Sequence, residues 1–401
     1  MKFTDFGFEP QLDEGLEAMG FSEATPVQES AIPLILKNKD ILVSAQTGTG
    51  KTAAFLLPVL NNILKNKLKG VSTLILVPTR ELAIQIDQQV QGLGYFLNIS
   101  SVPVFGGGEG AAWDTQKNAF KRGVDIVVAT PGRLMAHMEL GYVDFSHVNH
   151  LVLDEADRML DMGFIADIKA IAAKLPKKRQ SLLFSATMPD RIKKFADELQ
   201  TDAERINLAT SKPAEGVLQA AYLVEEKDKY DLIGSLLHKK DLQSVIVFAS
   251  AKVKVNTIVK TLKKMKMNVE GIHSDLDQKQ REEVLLGFRN RKVNILVATD
   301  IISRGIDIDH IDLVVNFDVP NDPEDYVHRV GRTARAKSEG VAITFINKES
   351  KEQYNFKRIE DLIEEEVFKI PLPVEIGKSP GYNPSAKPPK TSFKKKFFKR
   401  K

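Results

Sequence analysis

The run Ala45-Gln46-Thr47-Gly48-Thr49-Gly50-Lys51-Thr52 places a lysine and a hydroxyl directly after a glycine-bearing turn, itself preceded by the apolar segment Ile41 to Ser44. Glycines 48 and 50 free the backbone to turn its N–H groups inward around phosphate oxygens, and a helix starting at Lys51 would offer them its positive end. Lys51 then reaches the outer phosphates of a nucleotide and Thr52 supplies a ligand for Mg²⁺. Ala45 stands where the general phosphate-loop pattern has glycine. A second group, Asp154-Glu155-Ala156-Asp157, follows the apolar run His150 to Leu153. Carboxylates at the carboxyl end of a parallel strand face the crevice where open α/β sheets bind ligands. Asp154 suits Mg²⁺ binding, and Glu155 suits positioning or deprotonating an attacking water. Far downstream, Arg332 and Arg335 are three apart and would share a helical face, where planar, permanently charged guanidinium groups match the charge that develops on a transferring phosphoryl group. The cofactors expected from these residues are ATP and Mg²⁺.

Elements able to hold such residues recur in two blocks. Short β-branched runs alternate with longer amphipathic segments, the pattern of βα units around a parallel sheet. Strands are expected at Ile41 to Ser44, Thr73 to Val77, Asp125 to Ala129, His150 to Leu153 and Ser181 to Phe184, then at Ser244 to Phe248, Asn294 to Ala298, Leu313 to Asn316 and Val341 to Phe345. A stretch rich in small residues, Pro and Gly, Leu208 to Gly216, reads as a linker. The expected domains are 1–209 and 217–371, followed by a tail at 378–401.

The chain has 401 residues, no cysteine and a net charge of +4. Thiolate metal sites, disulfides and cysteine nucleophiles are thereby excluded. No segment reaches the roughly 20 apolar residues of a membrane helix; a cytoplasmic monomer with no membrane partner is expected. Residues 378–401 carry nine lysines or arginines and no acid, leaving 48 basic against 53 acidic residues, a net −5, in the remainder. A slightly acidic body holds a polyanion only through specific local groups, whereas the tail, with Lys interleaved among Phe393, Phe397 and Phe398, is expected to be disordered and to attract phosphates and stack on unpaired bases.

From about Phe3 to residue 350 the chain resembles the DEAD-box ATP-dependent RNA helicases of superfamily two. Gly20-Phe21 with Thr25-Pro26-Val27-Gln28 resembles the Q motif, which implies that Gln28 reads the adenine edge with Phe3 as the upstream aromatic. An amide can donate and accept at once, as that edge requires. Pro78-Thr79-Arg80-Glu81-Leu82-Ala83, Gly106-Gly107 and Thr130-Pro131-Gly132-Arg133 resemble the motifs that grip the sugar-phosphate backbone, implying RNA contacts from Arg80, Gly107, Thr130 and Arg133. Ser185-Ala186-Thr187 resembles the motif that couples hydrolysis to strand separation. In the second block Val247-Phe248-Ala249-Ser250, Gln280-Arg281 and Ala298-Thr299-Asp300 with Ser303-Arg304-Gly305-Ile306-Asp307 resemble further motifs, implying RNA contact by Thr299 and ribose contact by Asp307. The resemblance implies two tandem RecA-like parallel-sheet domains that close on ATP and single-stranded RNA, with Lys51, Glu155, Arg332 and Arg335 in one composite site. It also implies little sequence preference. Competing readings are an ATP-gated RNA clamp, separable by its RNA release rate, and a DNA translocase. The segment Glu349 to Gly377 reads equally as a terminal helix or a docking surface.

Overall fold

The segment Ile41-Leu42-Val43-Ser44 is buried along its whole length and lies between two other strands, a position that only a near-continuous apolar run can occupy. It is β1 of a computed structural model that describes all residues except 46–47, 69, 96, 108–109, 209–215, 239–241, 300–310, 334–339 and 385–401. With β2 (Thr73–Leu76), β3 (Ser101–Val104), β4 (Ile126–Ala129), β5 (His150–Leu153), β6 (Gln180–Ser185) and β7 (Glu204–Asn207) it forms a parallel sheet in the order β3-β4-β2-β5-β6-β1-β7. Helices cover both faces, and apolar clusters around Phe55 and Phe184 on one side and Leu153 and Ile168 on the other fill the two layers between.

The second unit repeats the plan. Its strands are β8 (Val217–Leu223), β9 (Val245–Phe248), β10 (Val269–Ile272), β11 (Ile295–Ala298), β12 (Leu313–Asn316), β13 (Gly340–Ile346) and β14 (Phe368–Ile370), in the order β10-β11-β9-β12-β13-β8-β14. The chain divides into these two compact units between Thr210 and Ser211. The linker reading falls largely on 209–215, outside the described residues. Among the described residues no helix is long and apolar enough to cross a membrane.

All nine expected strands are present, and five further ones escaped the sequence reading. β3, Ser-Val-Pro-Val, pairs only with β4, so Pro103 lacks an N–H where none is needed. β7, β10 and β14 are also edges, with charged residues in Glu-Arg-Ile-Asn, Val-Glu-Gly-Ile and Phe-Lys-Ile. In β8 Gln219 interrupts the apolar run, and Ala220 and Ala221, though buried, lack the β-branched side chains that mark a strand.

Residues 349–377 resolve into the helix Ser350–Ile363, which buries Phe356, Ile359 and Ile363, followed by β14 paired to β8. The expected disordered tail needs correction at its start. Tyr382 donates its hydroxyl proton to Glu360 at 2.9 Å, the Gln353 amide donates to the Gly381 carbonyl at 2.9 Å, and the Asn383 N–H donates to Gln353 at 2.6 Å. An aromatic ring and three hydrogen bonds fix this stretch on the terminal helix, so the second unit extends past 371 to 384. The basic run 387–401 lies outside the described residues.

A buried ionic cluster closes the top of this second unit. Lys229 is 0% exposed and lies 3.3 Å from Asp318, 3.3 Å from Glu352 and 2.9 Å from Glu226. Lys254 joins Asp318 at 2.6 Å and Glu226 at 2.5 Å. Although one oxygen from each of the three carboxylates falls within 4.8 Å of the others, the two ammonium groups sit among them, so the charges are met by lysine rather than by a metal.

Candidate ATP and nucleic-acid site

Because every strand of the first sheet runs the same way, the loops that follow them emerge along one edge. Strand order then sorts the candidate residues. The loops after β5, β6 and β1, three adjacent strands, carry Asp154 and Glu155, Thr187, and Ala45 to Lys51; the loops after β3, β4 and β2 carry Phe105 to Gly107, Thr130 and Thr79 to Arg80. One half of the edge thus gathers the phosphate-binding candidates and the other the backbone-gripping candidates.

In the first half, Gly48 and Gly50 take φ of 82° and 90°, a region open to glycine at little cost. Gly50 caps the helix Lys51–Asn66, whose first residue sends its ammonium back to the Ala45 carbonyl at 2.6 Å. Ala45 donates its own N–H to the Ser185 carbonyl at 3.0 Å, which ties the turn to β6. Thr52 follows in the first turn of that helix. Gln46 and Thr47 lie outside the described residues.

Gln28 is buried and bridges this loop to its own helix. Its oxygen accepts from Thr25 N–H at 2.8 Å and its nitrogen donates to the Gly50 carbonyl at 3.2 Å, while the Thr25 hydroxyl donates to the Thr49 carbonyl at 2.7 Å. An amide oxygen accepts twice and its nitrogen donates twice, so these bonds leave one of each for a ligand edge. Phe3 is 3% exposed and packs edge-on against Phe21 at 5.5 Å, so the half-buried Phe21 carries the more accessible aromatic surface.

Asp154 is 3% exposed. Burial pushes its carboxyl up to about 6; Lys51 pulls the other way, Glu155 adds to the rise, and the Glu155 N–H donates to it at 2.9 Å. The Asp154 carboxylate and the Thr52 hydroxyl are hard oxygen donors of the kind Mg²⁺ takes, so their chemistry fits that ion. Glu155 adopts φ of 52°, a strained conformation for a residue with a Cβ, and Arg158 holds its carboxylate at 3.3 Å.

Asp157, to which the sequence reading gave no role, links two motifs. One of its oxygens accepts from Ala186 N–H at 3.2 Å, Thr187 N–H at 2.9 Å and the Thr187 hydroxyl at 3.0 Å. An acid two residues past Glu155 was visible in the sequence, but its partners 29 and 30 residues away were not. Ser185 ends β6 with its hydroxyl buried and without a hydrogen-bond partner among the described residues.

In the other half, Arg80 donates to the Gly106 carbonyl at 3.2 Å and lies 4.5 Å over the Phe105 ring. A Cβ on Gly107, where φ is 91°, would meet the Arg80 guanidinium at 2.8 Å. The two candidates, far apart in sequence, therefore touch. Thr130 is half-buried at the cap of the helix Pro131–Glu139, and Arg133 projects from that helix to lie 4.1 Å over Trp113.

The second unit divides differently. Ser250 follows β9 and Thr299 follows β11, so both are on the carboxyl edge, where Ser250 donates its N–H and hydroxyl to Asp318 at 2.8 and 2.7 Å. Arg332 is not on a helical face: the helix Pro323–Val330 ends first, because Thr333 bridges Ile311 ahead of β12 and donates its hydroxyl to the Ile311 carbonyl at 2.6 Å. Arg332 is thus near the amino-terminal edge, 7% exposed and at the opposite end of the sheet from Thr299. Arg329 is spent internally, donating to Asn316 and to the Asp318 carbonyl at 3.0 Å each. Arg335 and Asp307 lie outside the described residues, and Gln280 serves as the third residue of a capping box with Asp277.

The comparisons with known proteins agree with this arrangement. Residues 25–195 match the DEAD/DEAH box helicase family and residues 228–337 the helicase conserved C-terminal domain. The chain is 43% identical over 346 residues to the ATP-dependent RNA helicase CshA of Listeria monocytogenes, covering 86% of this chain and 66% of that one. It is 42% identical to the CshA of Geobacillus kaustophilus, covering 86% and 73%. Among solved structures, S. cerevisiae Dbp5 bound to RNA and ADP BeF3 superposes with a TM-score of 0.83 at 30% identity, covering 92% of this chain and 95% of that one. With two parallel-sheet units, a phosphate loop facing the Asp154-Glu155 pair and relatives at this identity, the chain belongs to the DEAD-box family of ATP-dependent RNA helicases.

Proposed function

We propose that the protein hydrolyses ATP to unwind or remodel short stretches of RNA locally, in the cytoplasm and as a monomer, by closing residues 1–209 and the second domain from 217 onward around single-stranded RNA. The observation that carries this reading is the division of one sheet edge into a phosphate half and a backbone half, joined at β2 and β5. Gln28 holds the purine edge. Lys51 and the glycine turn hold the phosphates, and Thr52 and Asp154 hold Mg²⁺, which when bound offsets phosphate charge. Glu155 orients the attacking water and takes its proton, a role supported by its strained backbone and by the Arg158 brace.

Asp157 fastens Ser185-Ala186-Thr187 to the acidic loop, so a shift at Glu155 reaches the residues that couple turnover to RNA. Arg332 and Arg335 complete the charge stabilisation on closure. Arg80, Gly107, Thr130, Arg133 and Thr299 take the RNA backbone; phosphate and 2′-hydroxyl contacts carry little base information, hence little sequence preference. The likeness to Dbp5, a protein solved with RNA and ADP BeF3 bound, supports both ligands.

The test is ATP hydrolysis by the full chain alone, with single-stranded RNA and with DNA of the same sequence. Stimulation by RNA only is expected. Equal stimulation by DNA, or none by either, overturns the reading.

A further inference from the structure

The two arginines assigned to the RNA backbone are connected through one buried side chain that no motif includes. Gln116 is 4% exposed. Its oxygen accepts from Arg133 Nε–H at 2.9 Å and contacts His137 Nε2 at 2.9 Å, and its nitrogen donates to the Phe105 carbonyl at 3.2 Å. Phe105 in turn carries Arg80 over its ring. The orientation of the amide follows from chemistry. Arginine is always a donor, so the oxygen must face Arg133 and the nitrogen must face the carbonyl.

His137 completes the assignment. It is fully buried, stacked on Trp113 with ring centres 3.9 Å apart, and burial together with the nearby Arg133 charge pulls it down to about 4, so the ring is neutral at pH 7. A neutral imidazole donates from one nitrogen only. Since Nε2 faces an oxygen it carries the proton, and Nδ1 accepts from the Tyr142 hydroxyl. The chain of donors therefore runs from Tyr142 through His137 to Gln116. Arg133 meanwhile rests on Trp113, the chain's single tryptophan, and its Nη2 is buried without a hydrogen-bond partner among the described residues. Its guanidinium is held in place by Nε and by the ring.

We propose that Gln116 is a positioning residue that sets Arg133 and, through Phe105, Arg80 in one fixed geometry for consecutive phosphates of single-stranded RNA. The inference rests on the RNA reading above. It predicts a defect confined to RNA affinity, since Gln116 touches none of the phosphate-loop or Asp154-Glu155 groups.

The test compares the full chain with Gln116→Leu and Gln116→Glu, measuring ATP hydrolysis against single-stranded oligouridylate concentration and binding of the same labelled oligonucleotide by anisotropy. Gln116→Leu is expected to raise the half-saturating RNA concentration about tenfold, with RNA-free hydrolysis and kcat at saturating RNA unchanged. Gln116→Glu keeps an acceptor for Arg133 but loses the donor to the Phe105 carbonyl, so its half-saturating concentration should fall between those of wild type and Gln116→Leu. A Gln116→Leu protein with wild-type half-saturation, or with a lower kcat at unchanged half-saturation, overturns the inference, as does Gln116→Glu matching Gln116→Leu. If the wild-type chain itself shows no RNA stimulation, the RNA reading fails and the inference falls with it.

Discussion

Replacing Lys229 by methionine removes one charge from the buried cluster of the second unit while nearly conserving volume. In the native protein burial pulls Lys229 down, yet Glu352, Asp318 and Glu226 more than offset this and raise it. Asp318 is held down at about 2: against the burial that would raise it stand Lys229, Lys254 and Ser250. Glu352 is raised, because it is buried in a group with three acids and two bases, and Lys229 compensates only in part. Lys254 still serves Asp318 and Glu226 after the change, so Glu352 becomes the uncompensated charge. Breaking a buried pair on one side costs about 3–5 kcal/mol, and a unit of about 150–250 residues loses about 2–4 °C per kcal/mol; the second unit should melt about 6–20 °C lower at pH 7.

The pH dependence has a definite sign. A carboxyl whose folded value lies above its unfolded value contributes stability at low pH that is lost as pH rises through the folded value. Loss of Lys229 raises Glu352 further, so the deficit of Lys229→Met should shrink between pH 7 and pH 5 as Glu352 takes up a proton. Differential scanning calorimetry of both proteins at the two pH values reads this directly. A transition within 2 °C of wild type at pH 7, or a deficit that grows on acidification, refutes the reasoning.

Glu155→Gln should retain nucleotide and RNA binding while lowering kcat by about 10²- to 10⁴-fold; wild-type turnover would remove Glu155 from the base role. At Gly50 a Cβ would fall 2.5 Å from the Gln28 nitrogen at a φ of 90°, so Gly50→Ala should weaken nucleotide binding at least about tenfold, measured by titration with a fluorescent ATP analogue. Truncation after Pro384 should lower RNA affinity and flatten its salt dependence without moving the melting temperature. Truncation after Gly377 should additionally lower melting, because it removes the Tyr382 and Asn383 bonds to the terminal helix; identical melting of the two truncations would contradict the docking of 378–384.

The sequence by itself determined the central strands and the glycine turn between β1 and the helix Lys51–Asn66. β1, β5, β9 and β12 are covered on both faces, which requires continuous apolar runs, and a glycine turn followed by Lys51 and Thr52 has few other uses. Edge strands were illegible because half of each faces solvent or lacks a partner, so β7 and β14 read like loops. Tertiary structure decided which loops are neighbours. The order β3-β4-β2-β5-β6-β1-β7 gathers Asp154, Thr187 and Lys51 in one half, and Arg80, Gly107 and Arg133 in the other. The bonds from Asp157 to Thr187 and from Gln116 to Arg133 and Phe105 are single contacts between segments distant in sequence. No local pattern encodes such a contact, since its energy depends on where the intervening strands place the two ends. The same reason removed Arg332 from its expected helix: pairing of Thr333 with Ile311 ends the helical run, and that pairing exists only once the second sheet has formed.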